Sequence, residues 1–232
     1  MKMQIKGILF DFDGTIANTI DLIIATFEHT CREVLGFTPE REKIVATFGL
    51  PLPEAMIALS GKQELVETMR DAYREYNNAH HDDMIRSIPG VKETLEQLKA
   101  QGIKLAVVTS KKPPMLRRGL DCLQLTPYFD ATVALGDTKE NKPHPEPMLA
   151  ACAKLGVKPE ECLCVGDSPF DLQSGRSAGA KNRCRALYRL WLGEAAGGGQ
   201  AGFCDCKPAG AAGACRESKN KSQIKQIKHF CG

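Results

Sequence analysis

Residues 5–15, Ile5-Lys6-Gly7-Ile8-Leu9-Phe10-Asp11-Phe12-Asp13-Gly14-Thr15, carry the reading from which the rest of the chain follows. Ile5–Phe10 is a short, largely apolar and β-branched run, the signature of a central strand buried on both faces of a parallel sheet. Side chains alternate along an extended chain, so Asp11 and Asp13 point the same way while Phe12 turns towards the core. Gly14 then permits a sharp turn. Two carboxylates about 4 Å apart repel by roughly 4 kcal/mol at an effective dielectric of about 20, which a bound cation or a proton must relieve. The plainer alternative is a turn in which one aspartate caps the following helix.

Outward from this stretch, Lys104–Thr109, Ala131–Leu135 and Cys162–Val165 repeat the strand pattern. Helical periodicity over roughly 91–101, 113–123 and 145–155 separates or follows them. Strands alternating with helices predict an α/β fold built on a doubly wound parallel sheet with right-handed crossovers. Between the first two strands lie about ninety residues with almost no strand character. Asn18–Leu35, Pro39–Phe48, Leu52–Leu59 and Lys62–Asp82 carry apolar residues at helical spacing instead, which predicts an inserted all-helical domain. Such an insertion would hang over the C-terminal edge of the first strand, where open α/β sheets bind ligands. The expected division is a core of 1–16 and 88–181, a helical cap of 17–87 and an atypical segment of 182–232.

The 232 residues suit one core domain with a sizeable insertion, and contents of 43% hydrophobic and 25% charged residues disfavour wholesale disorder. The apolar run before Asp11 is too short for a signal peptide or a membrane span, so a cytoplasmic location without membrane attachment is expected. Ten scattered cysteines with no export signal read as reduced thiols. The net charge of +3 is uneven: residues 1–181 hold 22 Lys/Arg against 25 Asp/Glu, and residues 182–232 hold 9 against 3. That basic, Gly- and Cys-rich end lacks aromatic interleaving or a binding motif, which argues against a nucleic-acid partner. Its pattern fails so abruptly past Lys181 that an altered reading frame, a divergent end or a disordered extension is expected, and Asn182–Leu192 fits a further strand poorly. Cys204, Cys206, Cys215 and Cys231 do not match a standard zinc finger or ribbon.

A second acidic cluster, Gly166-Asp167-Ser168-Pro169-Phe170-Asp171, ends the fourth strand. A turn can bring Asp167 and Asp171 to the same edge as Asp11 and Asp13, making a hard oxygen-rich site suited to Mg²⁺ with room for water and a phosphate. Either aspartate could instead be a helix N-cap. Thr109-Ser110-Lys111 and Asn141-Lys142-Pro143 lie between the clusters. Hydroxyls and backbone N–H groups can hold phosphoryl oxygens, and a lysine supplies compensating charge.

With four such elements in this order, residues 5–181 resemble the haloacid dehalogenase superfamily, the motifs being DFDGT, VVTS ending at Ser110, Lys142 and GDSPFD. The resemblance implies a Rossmann-like core with a helical cap and a hydrolase working through an aspartyl-phosphate. It implies Asp11 as nucleophile and Asp13 as general acid and base, with Thr109 and Lys142 steadying the intermediate. Phe12, Gly14, Thr15, Ser110 and Lys111 would line the phosphate. Asp11, the Asp13 carbonyl and Asp167 would hold Mg²⁺, with Asp171 supporting its water shell. An aspartate at position 13 favours phosphate chemistry over carbon–halogen cleavage.

The insertion, with Met69–Asn77 and His80-His81-Asp82, resembles the caps of bacterial pyrophosphatases of this superfamily, as do TSKK and ENKPHPEP. Phosphoglycolate phosphatases share all four motifs and differ mainly in the lid. Pyrophosphate is therefore the expected substrate, with phosphoglycolate or another small phosphomonoester as the alternative. Arg70, Arg74, His80, His81, Lys111 and Lys112 are candidates for a second phosphate or a carboxylate, or else ordinary surface charges. A non-catalytic binding protein on the same fold is the competing class, against which stands the presence of every motif residue.

Overall fold

A computed structural model describes residues 5–48 and 50–184. In chain order the elements are β1 (Gly7–Phe10), β2 (Ala17–Asn18), α1 (Ile20–Leu35), α2 (Arg41–Val45), α3 (Leu52–Ser60), α4 (Val66–Met84), β3 (Arg86–Ser87) and α5 (Val91–Ala100). They continue with β4 (Lys104–Val108), α6 (Pro113–Cys122), β5 (Ala131–Val133), α7 (Glu146–Leu155), β6 (Cys162–Gly166), α8 (Pro169–Ser177) and β7 (Lys181–Cys184).

The main sheet has the order β5-β4-β1-β6-β7. All its pairings are parallel, with β1 lying between β4 and β6. Alternation along each strand divides the interior in two. Ile8, Phe10, Leu105, Val107, Leu163 and Val165 pack on one face with Val91, Leu95, Leu116 and Leu120 of α5 and α6. Leu9, Ala106, Val108, Cys162 and Cys164 pack on the other with Met148, Ala151 and Leu155 of α7. Full burial of each Leu, Ile or Phe contributes about 1.5–3 kcal/mol, so the doubly wound arrangement follows from strands apolar on both faces.

The chain leaves β1 towards β4 and β5, then returns to the far side of β1 for β6 and β7. The switch in direction therefore falls between β1 and β6, and a crevice opens there at the C-terminal strand ends. Asp11 and Asp167 are the residues that follow those two strands.

α1–α4 form a separate apolar cluster of Ile24, Phe27, Cys31, Ile44, Val45, Ala55, Met56, Val66 and Met69. Two features depart from the sequence reading. The insertion is entered and left through a short antiparallel ladder, Ala17 opposite Ser87 and Asn18 opposite Arg86, with the Ile88 N–H donating to the Ile16 carbonyl (3.0 Å). A strand also forms at Lys181–Cys184, in register with Leu163–Gly166, where none was expected beyond Lys181. Lys-Asn-Arg-Cys has no apolar pattern, but an outer strand needs only main-chain pairing along one side. The cysteine spacing and the frame or disorder reading of the C-terminal segment fall on residues 185–232, outside the described residues. Among the described residues no helix is long and apolar enough to cross a membrane.

Candidate active site

The loop after β1 is built around one carbonyl. The Phe12 oxygen accepts from the N–H groups of Thr15 (3.3 Å), Ile16 (3.0 Å) and Ala17 (2.9 Å), and the Gly14 N–H donates to the Ala17 carbonyl (2.8 Å). Gly14 sits at φ 77°, a left-handed conformation that costs glycine nothing. Phe12 is fully buried beneath this loop. The Asp11 N–H donates to the Val165 carbonyl (2.9 Å), which ties the tip of β1 to β6.

Lys142 closes the site from the loop before α7. Its Nζ donates to Asp11 Oδ1 (2.7 Å), Asp171 Oδ1 (2.5 Å) and the Val108 carbonyl (3.1 Å), which accounts for all three of its N–H groups. Asp171 Oδ2 accepts from the Ser168 N–H (3.1 Å), and the Ser168 hydroxyl accepts from the Phe170 N–H (3.1 Å). Ser168 is thus the cap of α8 and Asp171 the reciprocal member of its capping box, so neither Asp167 nor Asp171 is the N-cap itself.

Asp11, Asp167 and Asp171 are buried, and each offers a carboxylate oxygen within 4.8 Å of the others. Thr15 Oγ1 donates to Asp167 Oδ1 (3.3 Å), whereas Asp167 Oδ2 is buried without a hydrogen-bond partner. Burial, only partly offset by Lys142, pushes the Asp11 carboxyl up to about 7. Burial, and then the charges of Asp11 and Asp171, push Asp167 well above the usual carboxylate range. Lys142 is opposed by its burial, but Asp11 and Asp171 outweigh that and raise its pKa. Three buried carboxylates against one lysine, with one oxygen unpartnered, fit a hard divalent cation held by oxygen.

Asp13 stands apart from this trio. Its Oδ1 accepts from Thr19 Oγ1 (2.8 Å) and pairs with Lys111 Nζ (3.1 Å). Thr109 is buried, and its Oγ1 accepts from the Lys111 N–H (3.1 Å). Ser110 is exposed at the end of β4.

Residues 8–183 match the family of haloacid dehalogenase-like hydrolases. The chain belongs to that family. Its curated relatives include a Clostridium perfringens protein provisionally named pyrophosphatase PpaX, 43% identical over 80% of this chain and 85% of its own. The pyrophosphatase PpaX of Bacillus mycoides is 38% identical over 77% of this chain and 82% of its own. Among solved structures, a provisionally named phosphoglycolate phosphatase of Lactobacillus plantarum superposes with a TM-score of 0.73. It is 26% identical, over 81% of this chain and 89% of that one.

In this haloacid dehalogenase-like hydrolase several basic candidates from the insertion are engaged elsewhere. Arg70 pairs with Glu67 one turn earlier on α4. His80 stacks on Tyr76 with ring centroids 4.0 Å apart. His81 is fully buried, its Nδ1 2.7 Å from Asp82 Oδ1. Arg74 and Lys112 are exposed. Sequence reasoning missed Thr19, which no motif marks and which donates to Asp13. It also missed Arg118 of α6, which fastens α4 to the core through Asp82 Oδ1 (2.9 Å) and Oδ2 (3.0 Å).

Proposed function

We propose that this enzyme is a Mg²⁺-dependent phosphohydrolase that works through an aspartyl-phosphate on Asp11, with inorganic pyrophosphate as its substrate. The observation that carries the reading is the convergence of Asp11, Lys142, Asp167 and Asp171 at the switch between β1 and β6. Asp11 sits at a strand tip with one oxygen held by Lys142, leaving the other to attack phosphorus. The bond from phosphorus to the leaving oxygen breaks as the Asp11–phosphorus bond forms, and Asp13 gives that oxygen a proton. Asp13 then takes a proton from water, whose oxygen displaces Asp11 and releases phosphate. General acid–base help of this kind contributes about 10²–10⁴-fold.

Asp11, the Asp13 carbonyl and Asp167 would hold Mg²⁺, with Asp171 supporting its water shell. Bound there, the ion would neutralise charge that otherwise keeps an anionic phosphate from an anionic nucleophile. Lys142 neutralises Asp11 and, with Thr109, steadies the phosphorylated form. Phe12, Gly14, Thr15 and Ser110 line the phosphate through backbone N–H groups and hydroxyls. Residues 17–87 serve as the cap over this site. Five cysteines among the described residues are free thiols, in keeping with a cytoplasmic setting.

Pyrophosphate is favoured because the PpaX relatives share 38–43% identity over more than three quarters of the chain. The structural likeness to the Lactobacillus plantarum protein keeps phosphoglycolate as the second reading. A phosphate-release screen with Mg²⁺ over pyrophosphate, phosphoglycolate and sugar phosphates, with Asp11→Asn as control, tests both. Pyrophosphate should be turned over fastest and Asp11→Asn should be inactive; faster release from phosphoglycolate would transfer the assignment to it.

A further inference from the structure

The two lysines of the site differ in what they have left to offer. Lys142 is almost wholly buried, and its three N–H groups are spent on Asp11, Asp171 and the Val108 carbonyl. Lys111 retains 16% of its side-chain exposure, and its ion-pair partner among the described residues is Asp13. An ammonium has three donors, so Lys111 can take further acceptors without giving up that contact.

Its position is fixed from behind. The Lys111 N–H donates to Thr109 Oγ1 (3.1 Å), and its carbonyl accepts from the Leu135 N–H (2.9 Å). The ammonium stands 5.8 Å from the centre of the Phe12 ring. Thr19 shares the Asp13 oxygen that Lys111 approaches, so both donors hold one side of that carboxylate.

We infer that Lys111 grips the leaving group, making the enzyme selective for phosphoryl donors whose departing half is itself an anion. The inference rests on the reading of Asp13 as the proton donor to the leaving oxygen. Whatever departs must pass beside Asp13, and the cation 3.1 Å from Asp13 is therefore next to the departing half rather than the transferred phosphoryl group. A second phosphate, or a carboxylate close to the ester oxygen, meets that charge; an uncharged alkyl group gains nothing from it. Of the insertion's basic residues, Arg70 is turned to Glu67, His81 to Asp82 and His80 is stacked on Tyr76, while Arg74 is exposed.

The test compares the full chain with its Lys111→Met and Lys111→Arg variants, measuring kcat/KM with Mg²⁺ for pyrophosphate and for ethyl phosphate. Lys111→Met should lower the pyrophosphate-to-ethyl-phosphate ratio by about tenfold or more, the scale of a lost charge-assisted contact, and Lys111→Arg should restore most of it. If Lys111 served only to position Asp13 for proton transfer, the alkyl ester would suffer more because its leaving oxygen is the stronger base. The ratio would then rise; a rise or an unchanged ratio overturns the inference. A second arm uses the Asp11→Asn background and calorimetric binding of pyrophosphate and orthophosphate. Adding Lys111→Met should weaken pyrophosphate about tenfold more than orthophosphate, and equal weakening overturns the inference. Turnover of neither substrate by the unaltered enzyme would sink the hydrolytic reading, while the binding arm still decides Lys111.

Discussion

Gly166 and Asp171 are in such close contact that no side chain fits between them: a Cβ on Gly166 would stand 2.5 Å from Asp171 Cγ and 2.6 Å from its Oδ2. The last residue of β6 therefore sets where the Asp171 carboxylate can lie. Asp171 in turn is one of the two carboxylates holding Lys142. Gly166→Ala should push Asp171 off both Lys142 and the Ser168 N–H, at a cost of about 1–3 kcal/mol in stability. Displacement of Lys142 should also lower kcat/KM by about tenfold or more. Thermal melts and phosphate release on the same preparation check both; a less stable variant with full activity would show that the Asp171 position is unimportant to turnover.

The buried carboxylates predict opposite pH trends with and without metal. Folding raises the Asp11 pKa from 3.8 to about 7, so over that window the folded state holds a proton that the unfolded state has released. Metal-free stability from this group is full below about pH 4 and declines as pH rises through about 7. Asp167 shifts in the same direction. Mg²⁺ held at this site would bind the deprotonated carboxylates, so its stabilisation should grow from pH 5 to pH 8. In EDTA, Tm should fall over that range; with Mg²⁺ the fall should shrink or vanish. Asp167→Asn should abolish most of the Mg²⁺ effect, and an undiminished Mg²⁺ shift in that variant would place the cation elsewhere.

Much of the fold was legible because β1, β4 and β6 are apolar runs followed directly by Asp11, Thr109 and Asp167. The ladder of Ala17–Asn18 with Arg86–Ser87 escaped notice because two-residue strands have no periodicity. Lys181–Cys184 escaped because its pairing is a main-chain property that side-chain polarity does not encode. Within the site, Asp11, Lys142, Asp167 and Asp171 stand together because each follows, or is held against, a strand end. The partners of Asp13 could not be read the same way. Thr19 reaches it only because the chain doubles back through Ala17, and nothing in the sequence of the insertion marks that Glu67 engages Arg70 and Asp82 engages His81.

Lys142 is the counter-charge that makes two buried carboxylates tolerable. Lys142→Met should destabilise the metal-free protein by about 3–5 kcal/mol at pH 8, as removing one partner of a buried pair does. The loss should be smaller at pH 5, where Asp11 carries its proton. Combining Lys142→Met with Asp11→Asn should recover part of the stability, since the uncompensated charge goes too. Urea unfolding at the two pH values reads this; equal losses at pH 5 and pH 8 would mean that packing, not charge, is what Lys142 supplies.

Thr19 joins the insertion to Asp13, because it lies between β2 and α1 and donates to Asp13 Oδ1 at 2.8 Å. Thr19→Val keeps the buried shape and removes the donor. Lys111 still holds the same oxygen, so Asp13 should remain nearby but less well aimed. A hydrogen bond to a charged group contributes about 1.5–3 kcal/mol, and loss of part of it should lower kcat about tenfold with little change in KM. The fall should be greatest for substrates with a strongly basic leaving oxygen, such as an alkyl phosphate. It should be least for p-nitrophenyl phosphate, whose leaving group departs without a proton, and Thr19→Ser should restore activity towards both. A uniform fall across leaving groups, unrelieved by serine, would mean that Thr19 supports the fold of the linker rather than the aim of Asp13.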